Sequence, residues 1–183
     1  MKEITLHDEV KHDIAAAYIA LLAIKPSEEI SVTELAKKAG VSRMSFYRNF
    51  SSKSAIIDYK LNTALAAIYS GAHFMDMSIR QPLLLEEFRY AYDNSAFLKL
   101  LEERGYLSIL FKWWDYYAQQ FLLEHDPKAS PYEYAFYSGA SINVIICWIE
   151  TGLKESPEQM AKYFDSLIAD RSKRGEEKAA KQH

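Results

Sequence analysis

The stretch ISVTELAKKAGVSRMSFYRNFSSKSAII, residues 30–57, carries five basic side chains, Lys37, Lys38, Arg43, Arg48 and Lys53, and no acid after Glu34. The whole chain has a formal net charge of -3, so this freedom from carboxylates is a local feature. The punctuation of the segment is equally specific. Ser31-x-x-Glu34 has the spacing of a capping box, and Val32, Leu35, Ala36 and Ala39 follow at helical intervals. Gly40 then offers the positive φ with which helices commonly end. Ser42 can cap the next helix, whose Phe46 and Phe50 face inward with Val41 while Arg43, Ser45, Tyr47 and Arg48 spread over the other faces. Two short helices joined by a glycine turn make a helix-turn-helix.

Working outward, the rest of the chain also reads as helix. Among 183 residues, 49% are hydrophobic, with only 6 Gly and 5 Pro, a composition that can bury a core and favours long helices over loops. Upstream, Val10, Ile14, Tyr18, Leu21 and Leu22 form a helical stripe after Thr5-Leu-His-Asp8 and stop near Lys25-Pro26. Downstream, Ser51 or Ser52 can cap a helix through Ile56, Ile57, Leu61, Leu65 and Ile68 to about Gly71. Further helices are expected from Pro82 to Tyr92, then over 97–103, 106–124, 132–151 and 157–170, the last with Pro157 at its favoured first position. No strand-like alternation stands out. The expectation is an all-α chain of about nine helices: a helix-turn-helix domain over 1–55, a larger helical regulatory and dimerisation domain over 56–171, and a solvated tail over 172–183.

Several function classes are excluded by what the sequence lacks. Cys147 is the single cysteine, so neither a disulfide framework nor a thiolate cluster is expected, and a reducing, cytoplasmic location fits. The apolar stretch from Ile14 to Ile24 has acids before it and no small-residue cleavage site, and no run reaches the roughly 20 residues that span a bilayer. Glu9 and His12 share the spacing of helical di-metal sites, but the second copy and further carboxylates are missing. His73, His125 and Cys147 lie far apart, and Cys147 sits in an apolar run that suggests a buried, inert thiol. There is no glycine-rich phosphate loop. An enzyme, a bound metal and a cofactor are therefore not expected.

The chemistry lies in the opening segment. A helix-turn-helix places its second helix in the major groove of double-stranded DNA, where side chains near the amino end reach base edges and flanking groups hold phosphates. Arg43 can donate two bonds to a guanine edge, Ser45 can read either base type, and Met44 can touch a thymine methyl. Tyr47 and Arg48 suit phosphates. Lys53, in the first turn of the following helix, opposes the helix dipole unless an anion lies nearby. A solvated basic face over an ordinary core turn is the competing reading of the same residues. Residues 1–60 hold nine Lys/Arg against eight Asp/Glu, and residues 61–183 thirteen against seventeen, so contact with a polyanion has to be local.

Residues 30–57 resemble the DNA-binding motif of the tetracycline-repressor (TetR/AcrR) family, I-T-V-x-x-I-A-x-x-A-G-V-S-x-G-T-x-Y-x-H-F-x-x-K-x-x-L. The matching positions are Ile30-Ser31-Val32, Leu35-Ala36, Ala39-Gly40-Val41-Ser42, Phe46-Tyr47, Phe50, Lys53 and Ile56. The resemblance implies phosphate contacts from Ser31, Tyr47 and Lys53, and base or phosphate contacts from Thr33, Arg43, Met44, Ser45 and Arg48, with Ser42 at the helix start. Met44-Ser45 replaces the usual Gly-Thr pair, and Asn49 replaces the usual His but can still donate to phosphate. Farther on, CWIETGLKESPEQMAKYF, from Cys147 to Phe164, resembles the W-x-x-x-G-x-x-x-S-P-E-x-x-A pattern of one subgroup, which includes regulators related to the dihydroxyacetone-kinase activator.

The same resemblance implies a homodimer on a pseudo-palindromic operator and a small-molecule effector in the helical domain. Tyr134, Tyr137, Ile142, Ile145, Trp148, Ile149, Met160 and Phe164 are candidates for a four-helix dimer seam. Among the aromatics beyond residue 60, Tyr92, Phe111, Trp114, Tyr117 and Tyr137 are candidates for an effector pocket, with ordinary core packing as the competing reading. The expected function is a transcriptional regulator, a repressor released by its effector. The alternatives are a coactivator controlled by a protein partner and a helical small-molecule binding protein without DNA binding.

Overall fold

The computed structural model describes residues 6–70, 80–125 and 127–180. Nine α-helices and one short 3-10 turn occur among them, with no strand. They are α1 (Leu6–Leu22), α2 (Val32–Lys38), α3 (Arg43–Asn49), α4 (Lys53–Tyr69), α5 (Arg80–Asp93), α6 (Ser95–Glu103), α7 (Leu107–His125), α8 (Pro131–Glu150) and α9 (Pro157–Ala180), with the 3-10 turn at Ser27–Glu29. Helix α9 runs on to Ala180, into the stretch expected to be a solvated tail. Its Lys, Arg, Glu and Ala residues are good helix formers, and no proline interrupts them. Gly71 and His73 lie outside the described residues.

Two compact units result. The first holds the described residues up to Leu65 together with Lys99–Trp113; the second holds Ala66–Leu98 and those from Trp114 onward. The boundary falls inside α4, α6 and α7, so these helices contribute to both.

In the first unit, α1, α2 and α3 pack mutually around Ile14, Tyr18, Leu22, Ile30, Leu35 and Phe46. The corner between α6 and α7 fastens onto α1. Arg104 Nε donates to the carbonyl of Leu22 at 3.0 Å, occupying an acceptor that the end of a helix leaves free. The hydroxyls of Tyr18 and Tyr106 are 2.7 Å apart, and that of Tyr18 donates to Ser27 Oγ at 2.9 Å. Burial of the Tyr18 phenol pushes its pKa upward, so it remains a neutral link.

In the second unit, α5 lies against α9 and α8. Phe88 meets the edges of Trp148 and Phe164 with ring centroids 5.7 and 6.1 Å apart. Around them Leu84, Ile142, Ile145, Met160 and Ile168 complete a buried core. Of the residues expected at the dimer seam, Ile142, Ile145, Trp148, Met160 and Phe164 are buried within a single chain. Tyr134, Tyr137 and Ile149 are half-buried. Among the described side chains of these two helices, the large apolar ones that are exposed are Tyr132, Phe136, Tyr163 and Leu167. Cys147 is also exposed rather than buried, because on the helical wheel it points away from the arc shared by Ile142, Ile145 and Trp148.

Candidate nucleic-acid interface

The helix-turn-helix is assembled from short-range bonds that the sequence encodes. Ser31 caps α2 by accepting from Glu34 N at 3.1 Å, while the Glu34 carboxylate pairs with Lys25 at 2.7 Å. The hydrogen bond from Lys25 lowers the Glu34 pKa, so the acid of the capping box is neutralised locally. At the other end of α2, Gly40 has φ 68°. Gly40 N donates to Lys37 O at 3.3 Å and Val41 N to Ala36 O at 3.0 Å; together they are the paired bonds of a Schellman turn, which needs the left-handed residue that glycine supplies. Ser42 then caps α3 by accepting from Ser45 N at 3.0 Å.

These restraints fix the orientation of α3. Phe46 is 2% exposed and anchors the helix against α2, and Phe50 continues the apolar face toward Tyr59, with ring centroids 5.7 Å apart. On the opposite side Arg43, Met44, Tyr47 and Arg48 are all exposed, Met44 at 65% and Tyr47 at 56%. An apolar anchor with two guanidiniums, a thioether and a phenol on the free face suits a groove with phosphate walls. Thr33, Lys37 and Lys38 of α2 are exposed as well.

Besides the capping Ser31 and Ser42, three further candidate residues are engaged with the protein itself. Ser45 Oγ lies 3.1 Å from Ser42 Oγ, beside the cap. Asn49 Nδ2 donates to Ser45 O at 2.7 Å, and its Oδ1 is buried without a donor. Lys53 Nζ donates to the carbonyls of Ile30, at 3.0 Å, and of Ser27. These two acceptors relieve the conflict between an ammonium and the start of α4, and they tie α4 to the chain ahead of α2. Glu9 and His12, the pair with metal-like spacing, are exposed on α1.

The candidate pocket residues divide. Phe111 belongs to the first unit and the other four to the second. Trp114 is buried and donates from Nε1 to Ser141 Oγ at 2.9 Å, a core role. Tyr92 is exposed beside Trp148, at 6.0 Å between centroids, and Tyr137 meets the edge of Phe136 at 5.5 Å. Tyr117 stacks on Tyr69 with centroids 5.6 Å apart and planes inclined by 25°.

That last contact leads to a residue the sequence reading passed over. Glu87 of α5 is 3% exposed, and its Oε1 accepts from the Tyr69 hydroxyl. Burial pushes its pKa up to about 7 against the opposing pull of that hydrogen bond, and burial, with the neighbouring Glu87 adding to it, holds the Tyr69 pKa well above its ordinary value. The signal was legible: Glu87 interrupts the apolar stripe of Leu83, Leu84, Phe88 and Ala91. Tyr90 Oη and Trp148 Nε1 are also buried without partners among the described residues.

Comparison with known proteins gives these features a setting. Residues 14–59 match the family model described as bacterial regulatory proteins, tetR family, and residues 80–170 match that of a transcriptional regulator C-terminal region. An uncharacterized HTH-type transcriptional regulator of Bacillus subtilis (strain 168), YxbF, is 24% identical over 176 residues, covering 90% of this chain and 46% of the relative. The chain thus spans about half the length of that curated relative. Among solved structures, the dihydroxyacetone kinase operon activator DhaS superposes with a TM-score of 0.64 at 18% identity, covering 88% of this chain and 95% of that one. The fatty acid degradation regulator FadR from Bacillus halodurans gives 0.63 at 16% identity, over 87% and 94% of the two chains. At such identities the two structures establish a common fold.

Proposed function

The chain belongs to the TetR family of bacterial regulatory proteins, and from that premise we propose that it represses transcription by binding double-stranded DNA as a homodimer and is released by a small-molecule effector. The observation that carries this reading is the free face of α3, where Arg43, Met44, Tyr47 and Arg48 are exposed on a helix without a carboxylate.

In the major groove, Arg43 would read a guanine edge and Met44 would pack on a thymine methyl, while Tyr47 and Arg48 hold phosphates. Ser31 and Thr33 would bring the start of α2 to the backbone, where its free N–H groups suit an anion. Ser42, Ser45, Asn49 and Lys53 act differently in this scheme. Their internal hydrogen bonds hold α3 and α4 in place, and any contact they make with DNA is additional to that work. Target selection then rests most on Arg43 and on Met44, whose bulk limits the base steps the helix can approach.

Dimerisation would use the exposed apolar face of the last two helices, Tyr132 and Phe136 of α8 with Tyr163 and Leu167 of α9. A two-fold dimer sets two reading helices roughly 34 Å apart, one DNA turn, and calls for a pseudo-palindromic operator. An effector held in the second unit would release the operator by favouring a dimer with a different spacing.

The test is a selection for bound sequences from a random DNA pool, followed by gel shifts on the winner. Arg43→Ala and Tyr47→Ala should each weaken binding by about 1–3 kcal/mol, with the salt dependence that phosphate contacts impose. Unchanged affinity in both variants would remove α3 as the reading face. Activation is the second reading of the sign of control, favoured by the Trp148–Ala161 pattern and the likeness to an operon activator; a reporter placed behind the selected operator decides between them.

A further inference from the structure

The second unit buries a carboxylate that nothing among the described residues neutralises. Glu87 makes one hydrogen bond among the described residues, from the Tyr69 hydroxyl to Oε1, and its Oε2 receives no donor there. No basic group lies beside it among those residues, either as an ion pair or as a charge acting on its titration. A buried carboxylate without a counter-charge costs several kcal/mol, so natural cores avoid one or pair it. The surroundings are also unusual in being aromatic. The phenol that touches Glu87 is stacked on Tyr117 and meets the edge of Phe121, with centroids 5.6 and 6.3 Å apart. Aromatic faces attract cations, and the attraction grows when water is excluded.

We propose that this part of the second unit is a binding site for a flat organic ammonium, with the cation on the free oxygen of Glu87 and the ring of the ligand against Tyr69, Tyr117 and Phe121. The inference rests on the reading of the second unit as the effector-holding part and supplies the chemical class of that effector. Glu87 is the counter-charge, Tyr69 keeps the carboxylate aimed, and the aromatic side chains set the preference for a planar body. The class follows from complementarity: an anionic effector would meet Glu87 with repulsion, and a purely apolar one would leave its oxygen unpartnered. A cation also draws Glu87 into its ionised form, so binding releases a proton near neutral pH. Ammonium affinity should therefore rise from about pH 6 to about pH 8, as the carboxyl held up to about 7 ionises.

The experiment uses three probes of one shape on the full chain, followed by tryptophan fluorescence and calorimetry: phenethylammonium, 2-phenylethanol and propylbenzene. Phenethylammonium should bind about tenfold or more tightly than either neutral probe, with the stated pH dependence. Glu87→Gln, which keeps the shape, should abolish that preference. Tyr69→Phe, which keeps the ring, should retain it, so a folding defect at one position does not decide the matter. Equal binding of all three probes, no saturable binding of the ammonium, or an ammonium preference surviving in Glu87→Gln each overturns the proposal. Gel shifts on the same preparations separate this from the wider reading: operator binding that persists without ammonium selectivity removes the ligand class alone, whereas loss of any selected operator removes the regulator itself.

Discussion

Among the described residues the same glycine turn closes α2, α6 and α8, and the first and last of these lead to a helix capped by serine. After α2, Gly40 has φ 68°, and after α8, Gly152 has φ 92°. Each turn closes with the same pair of backbone bonds: Val41 N to Ala36 O and Gly40 N to Lys37 O in the first, Leu153 N to Trp148 O and Gly152 N to Ile149 O in the second. Each leads to a serine that caps the next helix, Ser42 by accepting from Ser45 N and Ser156 by accepting from Gln159 N. Yet α3 anchors itself through Phe46 and presents a basic face, whereas α9 turns Met160, Ala161, Phe164 and Ile168 into a core. Identical punctuation therefore says where helices stop and start and nothing about use; the faces of the helices carry that. The W-x-x-x-G-x-x-x-S-P-E-x-x-A pattern is accounted for in these terms: Trp148 supplies the carbonyl, Gly152 the left-handed residue, Ser156 the cap and Pro157 the first helical position.

The contrast can be broken most forcefully at the anchors. Phe46→Ala and Trp148→Ala should each cost about 3–5 kcal/mol of stability, read by urea unfolding. The two units differ next in how they treat charge, since the first exposes Lys37, Lys38, Arg43 and Arg48 of α2 and α3 and the second buries Glu87. A carboxyl whose folded pKa is raised holds more protons folded than unfolded, so its contribution to stability is present at low pH and is lost as pH rises from about 4.5 toward about 7. The loss is on the order of 3 kcal/mol, and unfolding at pH 5 and pH 8 should show it in the native chain and not in Glu87→Gln.

Smaller changes sharpen the comparison. Gly40→Ala and Gly152→Ala meet no atom within 4 Å, so each carries only the backbone strain of positive φ, about 1–2 kcal/mol. Thermal unfolding should report similar losses for the two, while gel shifts should report weakened operator binding for Gly40→Ala alone. Smallest of all, Ser42→Ala and Ser156→Ala should each cost about 1 kcal/mol, again with only the first changing DNA affinity. Equal effects of either pair on DNA binding would mean that the two turns are not functionally distinct.

Much of this organisation was legible in the sequence, and the reason is distance along the chain. Caps and glycine turns join residues three to five positions apart, so Ser31, Gly40, Ser42 and Ser156 could be read without knowing what packs on what. The exposed face of α3 was readable too, because a seven-residue helix with one buried phenylalanine leaves few choices. Lys53 was not readable: its carbonyl acceptors at Ser27 and Ile30 lie 26 and 23 residues away, and only the folded chain brings them to the ammonium. Nor was the partner of Glu87, which arrives from a different helix.

The last two helices show the division most sharply. Periodicity was enough to establish that α8 and α9 bury one stripe each, but hydrophobicity has no direction and does not say whether the covering surface is the same chain or another copy. Tertiary packing decided it, by placing Phe88 of α5 against Trp148 and Phe164 and leaving Tyr132, Phe136, Tyr163 and Leu167 outside. Local bonding along the chain thus settles where each helix begins and ends, while the choice of which faces remain free for DNA, effector or partner belongs to contacts between residues remote in sequence.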